Sequence, residues 1–297
     1  MKQTIPKPQP LSKPDWIRVP VPTGKQVASI RELKQKKQLH TVCESALCPN
    51  IGTCWSAGQA TFMIMGSGCT RDCAFCAVNG TVQPPDHGEP QRVAEAVKTM
   101  GLKHAVITSV TRDDLPDGGA SVFADTIAAI RALCRNTSVE ILIPDFKGSR
   151  QAWARTARSN PDILGHNMET VPRLYPMVRA GADFSTSLTL LESVKTLNPR
   201  MITKSGLMVG LGETREELTD VFGLLRSAGV DILTLGQYLR PGPVQWPVAR
   251  YYHPDEFMAL KSTALETGFL WVESGPLVRS SFQAEKQAAF FKGRGNK

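Results

Sequence analysis

The sequence predicts an α/β fold, a partial parallel (β/α) barrel of about six repeats with extensions at both ends. Three observations lead there. From about residue 60, short apolar runs alternate with longer amphipathic ones, the rhythm of βαβ units on a parallel sheet. The length, 297 residues, suits a single barrel-type domain. The composition, 41% apolar and 21% charged, is that of an ordinary globular protein able to bury a core without disulfides.

Strands are expected at 61–65, 104–110, 139–143, 162–166, 183–188, 206–210 and 232–235. Helices are expected at 91–100, 120–134, 150–159, 170–179, 191–198, 214–227 and 254–267. This divides the chain into a basic N-terminal extension (1–57), the partial barrel (58–268) and a C-terminal extension (269–297). In such folds the chemistry gathers on the loops that follow the strands. The first expected strand runs directly into Gly66-Ser67-Gly68-Cys69.

The net charge of +8 is concentrated at the start, where residues 1–40 hold nine Lys and Arg against Asp15 and Glu32. Six of the 21 prolines fall in the first 22 residues, which predicts an extended start, and residues 26–39 read as a short basic helix leading to Cys43. Charge on an arm rather than over a folded face argues against nucleic acid as a partner. The plain reading is a solvated arm. The sharper one is an arm that steers an acidic protein, with Lys34, Lys36 and Lys37 as contacts. No apolar run approaches the ~18 residues of a membrane helix, and the first ten residues lack the apolar core of a secretory signal. A cytoplasmic protein without a membrane partner is expected.

Six of the seven cysteines lie between Cys43 and Cys76, and Cys134 stands apart. Clustering of this kind points to metal in a reducing compartment. The downstream group, Cys69, Cys73 and Cys76, has the spacing C-x3-C-x2-C. Three close thiolates can hold three corners of a [4Fe–4S] cube, which normally takes four. The fourth iron is then open to a small molecule, as in catalytic rather than structural centres. A zinc loop is the alternative, although zinc ribbons usually show paired C-x2-C knuckles. The upstream group, Cys43, Cys48 and Cys54, has the spacing C-x4-C-x5-C, a second triple short of one ligand. Cys134 ends a helical pattern with Ile127, Ile130 and Leu133 and reads as core.

The motif Cys69–Cys76, with Phe75 before its last cysteine, resembles the defining motif of the radical S-adenosylmethionine (SAM) enzymes. The upstream triple resembles the auxiliary-cluster motif of one family among them, the lipoyl synthases. The tail Arg279-Ser280-Ser281-Phe282 is similar to that family's terminal Arg-Ser-Ser-Tyr, and stretches 108–120, 165–175, 203–217 and 233–239 look like it too. The resemblance spans roughly residues 30–285. Phe282 departs from the usual tyrosine, and Thr53 stands where the family often has an acidic residue.

The resemblance implies a radical SAM barrel and two [4Fe–4S] clusters. One, on Cys69, Cys73 and Cys76, would bind SAM at its open iron and cleave it to a 5′-deoxyadenosyl radical. The other, on Cys43, Cys48, Cys54 and a serine oxygen, would be the sulfur donor. The family pattern assigns Ser281, with Ser280 as the second choice. The reaction implied inserts sulfur at C6 and C8 of a protein-bound octanoyllysine, at C–H bonds only a radical can attack. Partners implied are octanoylated lipoyl carrier domains, namely 2-oxoacid dehydrogenase E2 subunits and the glycine cleavage H protein. Ferredoxin or flavodoxin would supply electrons.

For SAM, Gly206, Gly210 and Glu213 resemble the superfamily's G-x-I-x-G-x-x-E strand, whose glycines would admit the adenine. Helix initiation is the alternative for Glu213. Thr108, Ser109, Asn167 and Glu169 follow expected strands and could hold SAM's polar groups or make ordinary loop hydrogen bonds. Arg179 reads as a carboxylate partner or as a surface helix residue. Two other functions compete: an RNA-modifying methylthiotransferase, which needs an RNA-binding module, and an iron–sulfur electron carrier or redox-sensing protein.

Overall fold

The computed structural model describes residues 11–78 and 80–294. The first ten residues of the expected extended start lie outside that range. Eight strands form one sheet in chain order: β1 (His40–Thr41), β2 (Thr61–Ile64), β3 (His104–Ser109), β4 (Ser138–Leu142), β5 (Ile163–Gly165), β6 (Ile202–Val209), β7 (Ile232–Gln237) and β8 (Trp271–Gly275). Only β1 is antiparallel to its neighbour, and β2 to β8 are parallel.

The helices are α1 (Lys25–Lys36), α2 (Val42–Ser45), α3 (Ile51–Ser56), α4 (Glu89–Met100), α5 (Ala120–Leu133), α6 (Arg150–Arg158), α7 (Tyr175–Val178), α8 (Phe184–Leu197), α9 (Arg215–Ser227), α10 (Pro254–Glu266) and α11 (Ala284–Arg294). Six crossovers link the seven parallel strands, the expected repeat number.

The central strands are covered on both faces, whereas β8 buries only Val272. β7 is buried at every position, as a parallel sheet clad in helices requires. The helices bury one stripe each. In α9, Leu218, Val221, Phe222 and Leu225 face the core at helical spacing. Its start is fixed by a capping box between Thr214 and Glu217. On the inner face, alternate residues of successive strands line one cavity: Thr61 and Met63, Val106 and Thr108, Glu140 and Leu142, Thr234 and Gly236. Side chains two apart share a face of a strand, so the sheet curves around that space.

Three expectations need correction. Residues 183–188 are not a strand. Asp183 accepts a hydrogen bond from the Thr186 amide at 2.7 Å and starts α8. Ser187, Leu190, Leu191 and Val194 then bury a helical stripe, and helical period prevails over the short apparent alternation. Residues 170–179 are not one helix, since Pro172 and Pro176 divide them into a 3-10 turn and the single turn α7. The basic arm is not simply solvated. α1 buries Val27 and Ile30 against Trp55. Lys34 pairs with Glu44 and Lys37 with Glu95, each at 2.6 Å. The sequence pattern also passed over β1, β8 and α11, which are short, irregular in pattern or close to the chain end.

Candidate active site

The loop holding Cys69, Cys73 and Cys76 leaves β2 and is clamped from several directions. The Thr70 amide and hydroxyl both donate to the Thr111 carbonyl at 3.0 Å. The Ala74 amide donates to Val178 O at 2.9 Å, and the Trp246 amide donates to Ala74 O at 2.7 Å. Gln245 Nε2 reaches Cys76 O at 3.3 Å. At the centre is Arg71. Its guanidinium holds Asp113 at 2.7 and 3.0 Å and Asp145 at 2.7 and 2.6 Å. All three side chains are largely buried. Burial opposes ionisation of Asp145, but Arg71 overrides it and keeps the carboxyl below the usual range. One arginine inside the cysteine loop thus ties the loops after β3 and β4 to it. The sequence reading missed this triad, whose signal was an arginine flanked by two of the cysteines.

The upstream thiols are held differently. Cys43 lies on α2, Cys54 on α3 and Cys48 between them. The fully buried Trp55 packs behind Cys48 and Cys54 with Val27 and Ile30. A small cavity of about 40 Å³ is lined by Cys43, Cys48, Cys54 and Ser281. Ser280 is not part of it. Its hydroxyl instead accepts from Asn167 Nδ2 at 2.6 Å. The structure therefore brings Ser281 to the upstream triple and turns Ser280 toward the barrel. Asn50 Nδ2, bonded to Leu277 O at 2.6 Å, joins the two ends of the chain here.

Both triples meet a larger cavity of about 330 Å³ inside the barrel, lined by all three downstream cysteines and by Cys43 and Cys48. Burial pushes the thiols of Cys43, Cys48 and Cys76 up, and those of Cys54 and Cys73 up to about 12. Neighbouring thiols add to the effect at Cys54 and Cys73. In such surroundings a thiolate persists when a bound cation replaces its proton. Among the described residues, no group of three His, Cys, Asp or Glu side chains stands together as a site for a metal ion. The thiols are spread around cavity walls, which suits a multi-iron cluster with one thiolate at each corner. Cys134 packs against the main core and lines neither cavity.

Of the residues expected to hold SAM, Thr108, Ser109, Asn167, Glu169 and Gly206 line the large cavity. Thr108 Oγ1 donates to Leu142 O at 3.1 Å. Ser109 Oγ and Asn167 Oδ1 are buried with no partner, a costly state that a polar ligand relieves. Glu169 adopts φ +67°, and burial pushes its carboxyl up against the pull of Arg179. Arg179 is no surface residue. It lines the cavity and donates to Asn167 O at 2.8 Å and to the Tyr175 hydroxyl.

Gly210 and Glu213 do not line the cavity. A Cβ at Gly210 would lie 2.1 Å from Gln237 Nε2, and φ there is +99°. The Glu213 carboxylate accepts from the amides of Gly210, Leu211 and Gly212 at 2.6, 2.9 and 3.1 Å and from Tyr252 OH at 2.9 Å. This pair shapes a turn. The sequence reading also missed a buried network low in the barrel, where Glu140 meets Lys204 Nζ at 2.8 Å and His104 Nε2 at 3.1 Å.

Comparison with known proteins places this arrangement. The Radical SAM superfamily pattern matches residues 63–225, and this is a radical SAM protein. A methylornithine synthase structure superposes with TM-score 0.52 at 13% identity, covering 71% of this chain and 69% of that one. Streptococcus suis SuiB bound to S-adenosylmethionine gives 0.55 at 10% identity, covering 83% and 55%. These likenesses speak for the fold alone. A lipoyl synthase of Rubrobacter xylanophilus is 56% identical over 93% of this chain and 86% of its own length. One of Koribacter versatilis is 52% identical over 94% and 92%. The chain belongs to the lipoyl synthase family.

Proposed function

We propose that this chain is a sulfurtransferase that inserts two sulfur atoms at C6 and C8 of a protein-bound octanoyllysine. The observation that carries the reading is the meeting of two cysteine triples at one barrel cavity, with Ser281 brought to the upstream one. Cys69, Cys73 and Cys76 would hold one [4Fe–4S] cluster, and Cys43, Cys48, Cys54 and Ser281 the other. Together with SAM, these groups supply radical C–H activation and sulfur.

The chain's own residues bind, orient and exclude water. Ser109 and Asn167 offer unpartnered polar atoms beside Glu169 and Arg179, which suits the amino and carboxylate groups of SAM. Met63, Val106, Leu142 and Val278 give the same cavity apolar walls, which suit an alkyl chain and keep water from the reacting carbon. Arg71 keeps the downstream loop in one geometry. The carriers are octanoylated E2 subunits or H protein, and a ferredoxin or flavodoxin supplies electrons. Among the described residues no helix is long and apolar enough to cross a membrane, and we place the reaction in the cytoplasm.

The test is anaerobic reconstitution, then SAM, dithionite and an octanoyllysine peptide. About eight irons per chain, as two cubes require, with 5′-deoxyadenosine and a doubly sulfurated peptide, are expected. Deoxyadenosine without sulfur in the peptide would overturn the substrate. About four irons would overturn the two-cluster reading.

A further inference from the structure

Arg279 lines both cavities. Among the described residues its side chain makes one hydrogen bond, from Nη1 to the Val278 carbonyl at 2.6 Å, and no ion pair. A guanidinium has five N–H donors, so most of the capacity of this half-buried side chain is unused. Cys48 shares both cavities with it, and Glu169 the larger one. The fold nevertheless builds a seat for it. A Cβ at Gly236 would lie 3.1 Å from Arg279 Nη1 and 2.1 Å from the Val278 carbonyl oxygen, so only glycine leaves room. The segment is pinned by Asn50 at Leu277 O and by the Phe282 amide at Arg279 O, 2.9 Å away. A half-buried cation fixed on two cavity walls with spare donors is placed to meet an anion there.

We propose that Arg279 is the counter-charge of the auxiliary iron–sulfur site, a positioning residue offsetting the thiolates of Cys43, Cys48 and Cys54 and the Ser281 oxygen. The inference rests on the two-cluster reading above. Three thiolates and an alkoxide load the small cavity with negative charge, and a fixed guanidinium on its wall counters that charge. It holds the cluster against loss of iron. It also favours the more negative, reduced state, so it raises the reduction potential.

Arg279→Gln keeps an N–H for the Val278 carbonyl but removes the charge. Arg279→Lys keeps the charge but not the planar fork. In the reconstituted holoenzyme, the Gln variant should lose auxiliary iron to a chelator about 10–100-fold faster than the parent, the usual scale for an outer partner of metal ligands. Its auxiliary potential should fall, while iron on Cys69, Cys73 and Cys76 leaves at the parental rate. The Lys variant should keep both auxiliary properties near the parent's. Parental retention in Arg279→Gln, or equal loss in both variants, overturns the proposal. If Arg279→Gln does not fold, the potential of Arg279→Lys decides: a clear fall overturns the proposal, and a parental value supports it. A parent that binds only about four irons overturns the two-cluster reading and this inference together. Eight irons with unaffected variants overturn this inference alone.

Discussion

The downstream and upstream cysteine segments serve one cavity but are held in place by different means. Around Cys69–Cys76 the fold spends backbone hydrogen bonds to Thr111, Val178 and Trp246 and a buried arginine between two aspartates. Around Cys43–Cys54 it relies on two short helices, one buried tryptophan, the pairing of Glu44 with Lys34 and the bond from Asn50 to Leu277 O. In the two-cluster reading proposed above, the clamped loop would keep its cluster through turnover, and the packed segment would hold the cluster that gives up its sulfur.

Cysteine replacement breaks the comparison most severely. Cys73→Ala should reduce 5′-deoxyadenosine formation to background, whereas Cys54→Ala should retain it and lose only the sulfurated product. Product analysis checks both, and loss of deoxyadenosine in Cys54→Ala would erase the distinction. Arg71→Met should come next. It leaves Asp113 and Asp145 buried without their cation, at a cost of about 3–5 kcal/mol in urea unfolding of the apoprotein. A change below about 1 kcal/mol would mean the clamp lies elsewhere. Asn50→Ala removes the corresponding tie upstream and should cost about 1–3 kcal/mol, with faster loss of auxiliary iron alone.

A pH series sharpens the contrast further. His166 is completely buried, and burial, with Arg179 second, lowers its pKa to about 3. Nδ1 donates to Ile143 O at 2.8 Å, and Nε2 faces Ser187 Oγ at 3.0 Å. The unfolded chain protonates this ring near pH ~6.5, so below that the unfolded state binds more protons. Stability contributed by the neutral ring is complete above ~6.5 and declines as pH falls toward 3, by up to ~1.4 kcal/mol per pH unit. His166→Gln should flatten apoprotein stability across that window, and an unchanged slope would count against this assignment. The smallest effect belongs to α1. Lys34→Gln and Lys37→Gln each remove a partly exposed pair and should cost ~0–1 kcal/mol.

Much of this was legible in the sequence where chemistry is local. Cys69, Cys73 and Cys76 announce themselves by spacing, and strands such as 104–110 and 232–235 by short runs rich in apolar residues. Other features depend on contacts between distant residues. Arg71 acquires meaning from Asp113 and Asp145, which lie 42 and 74 residues away. The motif around Gly210 and Glu213 did not announce that the amides of Gly210 and Leu211 donate to the Glu213 carboxylate. At 183–188 Asp183 before a mixed polar and apolar stretch was the start of a helix, a distinction that two-residue periodicity does not make.

The bond between Asn50 and Leu277 spans 227 residues, and this separation sets a schedule for biosynthesis. At ~5–20 residues per second, the ribosome needs about 10–45 s to pass from one partner to the other. During that interval Cys43, Cys48 and Cys54 are present without Ser281 or the wall around it. The small cavity is thus finished only after Ser281 has been made, and a cluster delivered earlier would meet three thiols and no serine oxygen.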